Sequence, residues 1–264
     1  MTTDAAPVYE ALRDALRADR PVALATVVSG PATGAKLLVA PDAAGIGSLD
    51  DHDLDRVVAR DALGALEAGV TATRHYGAHG EAREQVVEVF IESFARQPRM
   101  IIFGAVDFTA ALARAAGLLG YRVTVCDARE VFATRARFPM ADEVVCDWPD
   151  RHLASVGAEL GPRDAICVLT HDAKFDVPAI VAALDTKVGY LGAMGSRRTH
   201  AERVERLRAA GVDDDGLARV MAPIGLDIGA RTPEETAVAI CAEIIALRTG
   251  RIAPSLRDGS GPIH

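Results

Sequence analysis

The segment from residue 100 to residue 127 constrains the fold of this chain more than any other part of its sequence. An apolar run over residues 100–103 ends at Gly104, a segment with helical spacing follows, and a second β-rich run over residues 121–126 is closed by Asp127. This order predicts a β-α-β unit. The backbone N–H groups at the start of such a helix can hold a phosphate, and an acid in the position of Asp127 commonly bonds a ribose hydroxyl.

The loop of this unit departs from the usual dinucleotide pattern. Two positions after Gly104, where a small residue lets a pyrophosphate approach the backbone, the chain has Val106, and Asp107 follows it. The branched side chain narrows the approach and the carboxylate repels a phosphate. We therefore do not expect NAD or NADP to bind here, although Asp127 keeps an NAD(P)-dependent oxidoreductase among the alternatives.

Composition and charge bound the class of protein. The chain has 264 residues, of which 50% are hydrophobic and 25% charged, as in a folded globular protein. No stretch approaches the roughly 20 apolar residues of a membrane helix, and residues 1–10 show no secretory signal, so we expect a cytoplasmic protein without a membrane partner. A net charge of -8 argues against a nucleic-acid partner.

Neither the cysteines nor the clustered acids predict a metal site. Cys126, Cys146 and Cys167 fall in three apolar β-type runs and Cys241 in a helical run, which is typical of small core residues. The acid-rich residues 50–55 lack the glycine and the final glutamate of a calcium loop. They are expected to lie at the start of a helix that runs to about residue 68.

The pattern of apolar residues changes at residues 97–99. Before that point we expect a short amphipathic helix within residues 1–20, with Tyr9, Leu12 and Leu16 on one face, and strands over residues 22–28, 36–39, 46–49 and 86–94. His75 and His79 are expected in a loop or on the surface. After it, short strands near residues 143–146, 165–170 and 187–191 alternate with helical segments. The prediction is an α/β protein: a smaller α+β domain over residues 1–97, then a Rossmann-like parallel-sheet domain over residues 98–264.

Ligands of such sheets bind outside the carboxyl ends of the strands, which directs attention to three junctions. The first contains Asp127 and Arg129. The second contains His171 and Asp172, which suit either a general base with a ligand contact or a turn histidine with a helix-capping aspartate. The third is the glycine-containing turn at residues 192–198.

At the third junction, Gly195 precedes Ser196, which is predicted to cap a helix that begins with Arg197. Free N–H groups and an arginine at such a turn suit an anion. The alternative is a plain turn with a solvated basic helix start.

Three longer motifs carry a family resemblance. They are T-H-D-A-K-F-D at residues 170–176, Y-L-G-A-M-G-S-R-R-T at residues 190–199 and A-P-I-G-L-D-I-G-A-R-T-P-E-E-T-A at residues 222–237. In this order they resemble the C-terminal domain of the XdhC/CoxI family. The resemblance covers residues 98–250 well and the front half more faintly.

The resemblance implies an accessory protein of molybdenum hydroxylases such as xanthine and carbon monoxide dehydrogenases. Such a protein binds the molybdopterin cofactor, assists its sulfuration or insertion, and is a cofactor chaperone more than an enzyme. The expected partners are a hydroxylase client, a sulfur-donor protein and a second copy of the chain. The candidate cofactor-binding residues are those of the loop and the junctions: Gly104, Asp127, Arg129, His171, Asp172, Gly195, Ser196 and Arg197.

The front half departs from the family pattern at two motifs. The family usually carries G-G-C-x-E, whereas here Asp53 stands where the cysteine would be and Asp55 near the glutamate. A later G-C-G-G motif finds no counterpart between Tyr76 and Val89. Since a carboxylate cannot carry a persulfide, an interaction protein that kept only the scaffold is a further alternative.

Overall fold

The computed structural model describes residues 5–81 and 84–258. The chain forms two compact units, Met1–Arg96 and Gln97–His264, which we call the N-terminal and C-terminal units. No helix in the described ranges is both long enough and apolar enough to cross a lipid bilayer.

The N-terminal unit is an antiparallel sheet with two helices. Its elements are α1 (Ala5–Arg17), β1 (Val22–Ser29), β2 (Lys36–Val39), β3 (Ile46–Ser48), α2 (His52–Ala68), β4 (Ala72–Tyr76) and β5 (Val87–Phe94). The strand order is β3-β2-β1-β5-β4. Every neighbouring pair is antiparallel, which agrees with the expected α+β arrangement.

The face of α1 differs from the expected one. Val8 and Ala15 are buried against the sheet and Leu12 is partly buried, whereas Tyr9 is 65% exposed and Leu16 46% exposed. The spacing i, i+4, i+7 from Val8 is equally helical, and the prediction placed too little weight on alanine as a core residue. Residues 1–4 of the expected helix lie outside the described residues.

The acids ahead of α2 have the predicted capping role. The Asp51 carboxylate accepts a hydrogen bond from the backbone N–H of Leu54 at 2.9 Å. His75 lies on the surface as expected, but in β4 and not in a loop, where it pairs with Glu88 of β5. His79 lies in a turn 2.7 Å from Asp51, whose hydrogen bond raises the pKa of His79.

The C-terminal unit is a parallel sheet covered by helices. Its elements are β6 (Arg99–Phe103), α3 (Asp107–Leu118), β7 (Arg122–Cys126), β8 (Glu143–Val145), α4 (Pro149–Val156), β9 (Ala165–Val168), α5 (Ala173–Leu184), β10 (Tyr190–Ala193), α6 (Arg197–Ala209), α7 (Asp214–Ala218), β11 (Val220–Met221) and α8 (Pro233–Thr249). Short 3₁₀ turns span Gly157–Glu159 and Leu256–Asp258.

The strand order of this sheet, β11-β10-β9-β6-β7-β8, reverses direction at β6. From β6 the chain first moves outward through β7 and β8, then returns to β9 on the other side and continues outward to β11. All pairs are parallel. The predicted Rossmann-like fold is therefore confirmed, and its topological switch point lies between β6 and β9.

Alternate residues of β6 enter two different core layers. Met100 and Ile102 pack in a cluster with Leu112 of α3 and Ile240 of α8. Ile101 and Phe103 pack in a second cluster on the opposite face, with Ile180 of α5 and Leu207 of α6 among its members. Burial on both faces explains why the strand is a continuous apolar run.

Three details of this unit differ from the sequence expectations. β10 begins at Tyr190, three residues later than expected, and the two-residue β11 was not predicted. Cys146 is exposed, so the core assignment was wrong for that cysteine. It follows the last residue of the edge strand β8, where the chain leaves the sheet. Cys126, Cys167 and Cys241 are buried as expected.

Candidate functional site

The switch point brings Gly104, after β6, against Thr170, after β9. Gly104 has φ +111°, and a Cβ atom there would lie 2.7 Å from Thr170 Cγ2 and 3.1 Å from Thr170 N. Both the backbone conformation and the lack of space require glycine. The two strand ends thus approach closely at the base of a crevice where ligands of this fold class bind.

Asp127, at the end of β7, is fully engaged with its own chain. Its side chain is buried and accepts hydrogen bonds from Ala105 N at 2.8 Å, Arg129 N at 2.9 Å, Arg129 Nε at 2.9 Å and Arg129 Nη2 at 2.7 Å. Burial raises the pKa of Asp127, but the hydrogen bonds from Arg129 and Ala105 outweigh it and hold the pKa below its ordinary value. A ribose hydroxyl would have to compete with Arg129 for this carboxylate.

The loop between β6 and α3, residues 104–106, is called the first loop, and its backbone N–H groups point toward the protein interior. Ala105 N donates to Asp127, and Val106 N faces the Thr109 hydroxyl at 3.4 Å. The Thr109 hydroxyl in turn donates to the Gly104 carbonyl oxygen. Two of the amides that hold a phosphate in dinucleotide-binding loops therefore have intramolecular partners here.

At the second junction, Asp172 has the capping role that the sequence left as one alternative. Its carboxylate accepts from Lys174 N at 3.1 Å and lies 3.3 Å from Lys174 Nζ. The backbone N–H of Lys174, followed by its side chain, lowers the pKa of Asp172. His171 is exposed at the strand end, next to this cap.

At the third junction, the predicted cap is confirmed. Ser196 Oγ accepts from Thr199 N at 3.1 Å, and α6 begins at Arg197. Gly195 has φ +147°. Arg198 lies 3.7 Å from Glu202, whereas no carboxylate in the described ranges lies within salt-bridge distance of the exposed Arg197.

A buried polar network, which the sequence did not predict, joins the second and third junctions. Arg203 Nη2 of α6 donates to Asp176 Oδ2 of α5 at 2.9 Å and to the Met194 carbonyl oxygen at 2.7 Å. The Thr170 hydroxyl donates to the other oxygen of Asp176. Burial raises the pKa of Asp176, partly offset by Thr170 and Arg203. The ends of β9 and β10 are thereby fixed to the first turn of α5 and the middle of α6.

Arg203 also carries an unsatisfied group in the part of the chain that the structure describes. Its Nη1 is buried without a hydrogen-bond partner and lies 3.6 Å from where a Cβ of Gly195 would be. In the sequence Arg203 is one of many basic residues of α6, so only its i, i+7 spacing from the Ser196 cap could have singled it out. This N–H donor lies next to Gly195, while the charge of Arg203 is paired with Asp176.

The described residues contain no cluster of three or more His, Cys, Asp or Glu side chains that could hold a metal ion. Burial raises the pKa of Cys126 to about 12 and of Cys241 to about 11, and raises that of Cys167 further. These three thiols are protonated at neutral pH and lie inside the core.

Comparison with known proteins agrees with this fold. Residues 100–244 match the family described as XdhC Rossmann domain, and residues 15–77 match the XdhC and CoxI family. A crystal structure described as that of a xanthine dehydrogenase from Bacillus halodurans has a TM-score of 0.55 at 21% identity. The match covers 93% of this chain and 97% of that one, and it shows a shared fold.

Three curated relatives share parts of the sequence. The chain is 28% identical over 244 residues, 86% of its length, to the uncharacterized protein YqeB of Escherichia coli. It is 34% identical over 165 residues, 62% of its length, to a protein of Bacillus subtilis described as a probable xanthine dehydrogenase subunit. It is 34% identical over 95 residues, 36% of its length, to the molybdenum cofactor insertion chaperone PaoD of Escherichia coli. The matches span 44%, 47% and 30% of these relatives, less than half of each.

Proposed function

Because the chain belongs to the XdhC and CoxI family, we propose that it is an accessory protein of a molybdenum hydroxylase, which binds the molybdopterin cofactor and assists its insertion. The observation that carries the proposal is the Gly195 turn beside the switch point, where Arg203 Nη1 is buried without a hydrogen-bond partner and α6 begins with the exposed Arg197. The likeness to an insertion chaperone and to a probable xanthine dehydrogenase component supports the same role.

The cofactor's phosphate fits the third junction better than the first loop. At the first loop, two amides are already used and Asp127 is paired with Arg129. At the third junction, the helix start after Ser196, the exposed charge of Arg197 and the free Nη1 donor of Arg203 all favour an anion. In this arrangement Gly104 keeps the crevice open, and His171 would face the pterin or its metal-bearing end.

The chain would hold the cofactor and leave the chemistry to other proteins. When bound, the cofactor supplies the molybdenum centre that the client uses. This chain would contribute contacts to the anion at the Gly195 turn. The buried pair of Asp176 and Arg203 would support that turn from below and exclude water there. Three of the four thiols are buried in the core and only Cys146 is exposed, and we assign the supply of sulfur to a separate donor protein.

The test is cofactor retention and client activation in variants of the third junction. Arg197→Ala should weaken cofactor binding about tenfold to a hundredfold, because a charge-assisted hydrogen bond contributes roughly 1.5–3 kcal/mol. His171→Ala should lower client activation more than stability, because an exposed residue contributes little to the core.

The matched control is Arg206→Ala, an exposed arginine near the other end of α6 that lies 3.8 Å from Glu202. Each variant would be copurified with its client under anaerobic, reducing conditions and its cofactor content measured by mass spectrometry. If Arg197→Ala and His171→Ala both retained as much cofactor as Arg206→Ala, the crevice would not be the binding site. The interaction-protein alternative would then be favoured.

A further inference from the structure

A second group of side chains comes from the segments that follow β7 and β8 and from the start of α5. It combines aromatic rings with cations, and we call it the ring patch. Its members are Arg129, Phe132, Arg137, Trp148, Lys174 and Phe175. None of the proposed contacts to the cofactor's phosphate involves Phe132, Arg137 or Trp148.

Rings and cations alternate in this patch. The Arg129 guanidinium carbon lies 4.5 Å from the centroid of the Phe132 ring and 5.8 Å from that of Phe175. The Phe175 ring lies 5.0 Å from the Trp148 ring at an angle of 41°. Since Arg129 is also held by Asp127, the row has a fixed member at its centre. Such a fixed row is suited to stack a further planar group.

Arg137 joins this row to the first loop. Its guanidinium carbon lies 5.3 Å from the Phe132 centroid, and its Nη1 donates to the Ala105 carbonyl oxygen at 3.2 Å. Within the described ranges, no carboxylate lies within salt-bridge distance of Arg137. A cation without a carboxylate partner therefore lies beside the loop whose own amides are turned inward, where it could bind a phosphate.

The outer members of the patch are open to solvent. Trp148 is 39% exposed and Phe132 38% exposed, and Val131 beside it is 76% exposed. The charges of Arg129 and Lys174 are balanced by Asp127 and Asp172, so Arg137 provides the unbalanced positive charge among these cations. Exposed rings beside an unbalanced cation match an aromatic ligand that is also an anion.

We infer that the ring patch binds a planar heteroaromatic ring that carries a phosphate, with the ring against Phe132 and the phosphate beside Arg137. A nucleotide and a phosphorylated pterin share this chemistry. The phosphate position beside Arg137 is distinct from the anion site proposed at the Gly195 turn, so the inference goes beyond the proposed function and does not depend on it. Its test requires only the isolated protein.

Trp148 supplies a second readout beside calorimetry, since it is the only tryptophan in the sequence. The purified chain would be titrated with CMP, GMP, 6-carboxypterin and inorganic phosphate, with Trp148 fluorescence and calorimetry followed in parallel. We expect saturable binding of at least one ring compound in calorimetry, and no such binding of phosphate alone. CMP or GMP as the effective ligand identifies a nucleotide, and 6-carboxypterin identifies a pterin.

Variants of the patch test the assignment. Phe132→Ala should weaken binding of the effective ring compound about fivefold to a hundredfold, because stacking on an aromatic side chain is lost. Phe132→Tyr, which keeps a ring, should retain binding. If the ligand is a nucleotide, Arg137→Ala should weaken its binding more than that of the matching nucleoside. Leu118→Ala and Arg114→Ala, on the solvent side of α3, are matched controls that should change nothing.

The inference and the proposed function fail in different ways. Absence of saturable binding of every ring compound in calorimetry, or binding unaffected by Phe132→Ala and Arg137→Ala, would overturn the inference even if the client were activated normally. Conversely, ring binding that depends on Phe132 would support the inference even if no client received cofactor, and that second result would count against the proposed function alone.

Discussion

Arg203 donates a hydrogen bond to Asp176 across 2.9 Å, and the two side chains are only 2% and 3% exposed. The pair fixes α6 to α5 beneath the candidate anion site. An ion pair this far from water stabilises the fold only while both partners are present, because either charge alone would be buried without compensation.

Removing one partner should therefore be costly. We expect Arg203→Ala to lower the free energy of unfolding of the C-terminal unit by about 3–5 kcal/mol. Arg206→Ala, which breaks only an exposed contact with Glu202, should cost at most about 1 kcal/mol. Urea unfolding followed by Trp148 fluorescence measures both. Equal stabilities for the two variants would show that the buried pair contributes little.

Gly104 should not tolerate even a methyl group. A Cβ there meets Thr170 at 2.7 Å in a backbone conformation with φ +111°, so Gly104→Ala should destabilise the unit by roughly 1–3 kcal/mol. Gly117→Ala is the matched control, since that glycine lies inside α3 with nothing within 4 Å of its Cβ position. It should stabilise by about 0.5–1 kcal/mol. Thermal unfolding of the two variants measures the difference. If Gly104→Ala were as stable as the wild type, Gly104 and Thr170 would not be tightly packed.

Asp127 should contribute to stability above about pH 4 and lose that contribution in acid. Its pKa in the folded protein is lowered, so its stabilising effect is present above the unfolded-state pKa of about 3.9 and disappears as the pH falls through the folded-state value. The stability difference between the wild type and Asp127→Asn should accordingly shrink below pH 4. A difference that stays constant from pH 7 to pH 3 would exclude this role.

The four cysteines should differ in reactivity. Cys146 is exposed, whereas the other three are buried and their thiol pKa values are raised by burial. Iodoacetamide at neutral pH should therefore label Cys146 in the native protein, and all four only after unfolding. Peptide mass spectrometry identifies which cysteines are labelled in the native and in the unfolded protein. Because no buried thiol is accessible, Cys126→Ser and Cys167→Ser should spare client activation as long as the variants fold.

We expect neither NAD nor NADP to bind with useful affinity. The Asp127 carboxylate is occupied by Arg129, Val106 narrows the loop, and two loop amides have internal partners. Calorimetry with each dinucleotide should show no micromolar binding. Micromolar binding that is lost in Asp127→Ala would restore the oxidoreductase alternative.

Signals that act over a few residues could be read from the sequence. The Asp51 and Ser196 caps each bond a backbone N–H three residues along the chain, so local spacing was sufficient to find them. The apolar run over residues 100–103 and the glycine after it likewise predicted a doubly covered parallel strand. Even so, the prediction for the buried face of α1 was wrong. The structure buries a valine and alanines of this helix and leaves the larger Tyr9 and Leu16 exposed.

The family resemblance was read correctly from the motifs at residues 170–176, 190–199 and 222–237, and the comparisons confirm it. The residues named for cofactor binding from the sequence remain predictions. The structure adds that Asp127 and Asp172 are committed to intramolecular hydrogen bonds, whereas Arg197 has no carboxylate within salt-bridge distance in the described ranges.

The sequence by itself predicted most of the strands and helices in order, the change of pattern near residue 97, and the starts of α2, α6 and α8, but not β4, α7 or β11. Only the tertiary structure decided which polar groups meet. Arg203 and Asp176 are 27 residues apart in the chain, and Arg137 and Ala105 are 32 apart. The physical reason is that a cap or an apolar period is a local property of the backbone, whereas a buried ion pair depends on how separate elements pack around the sheet.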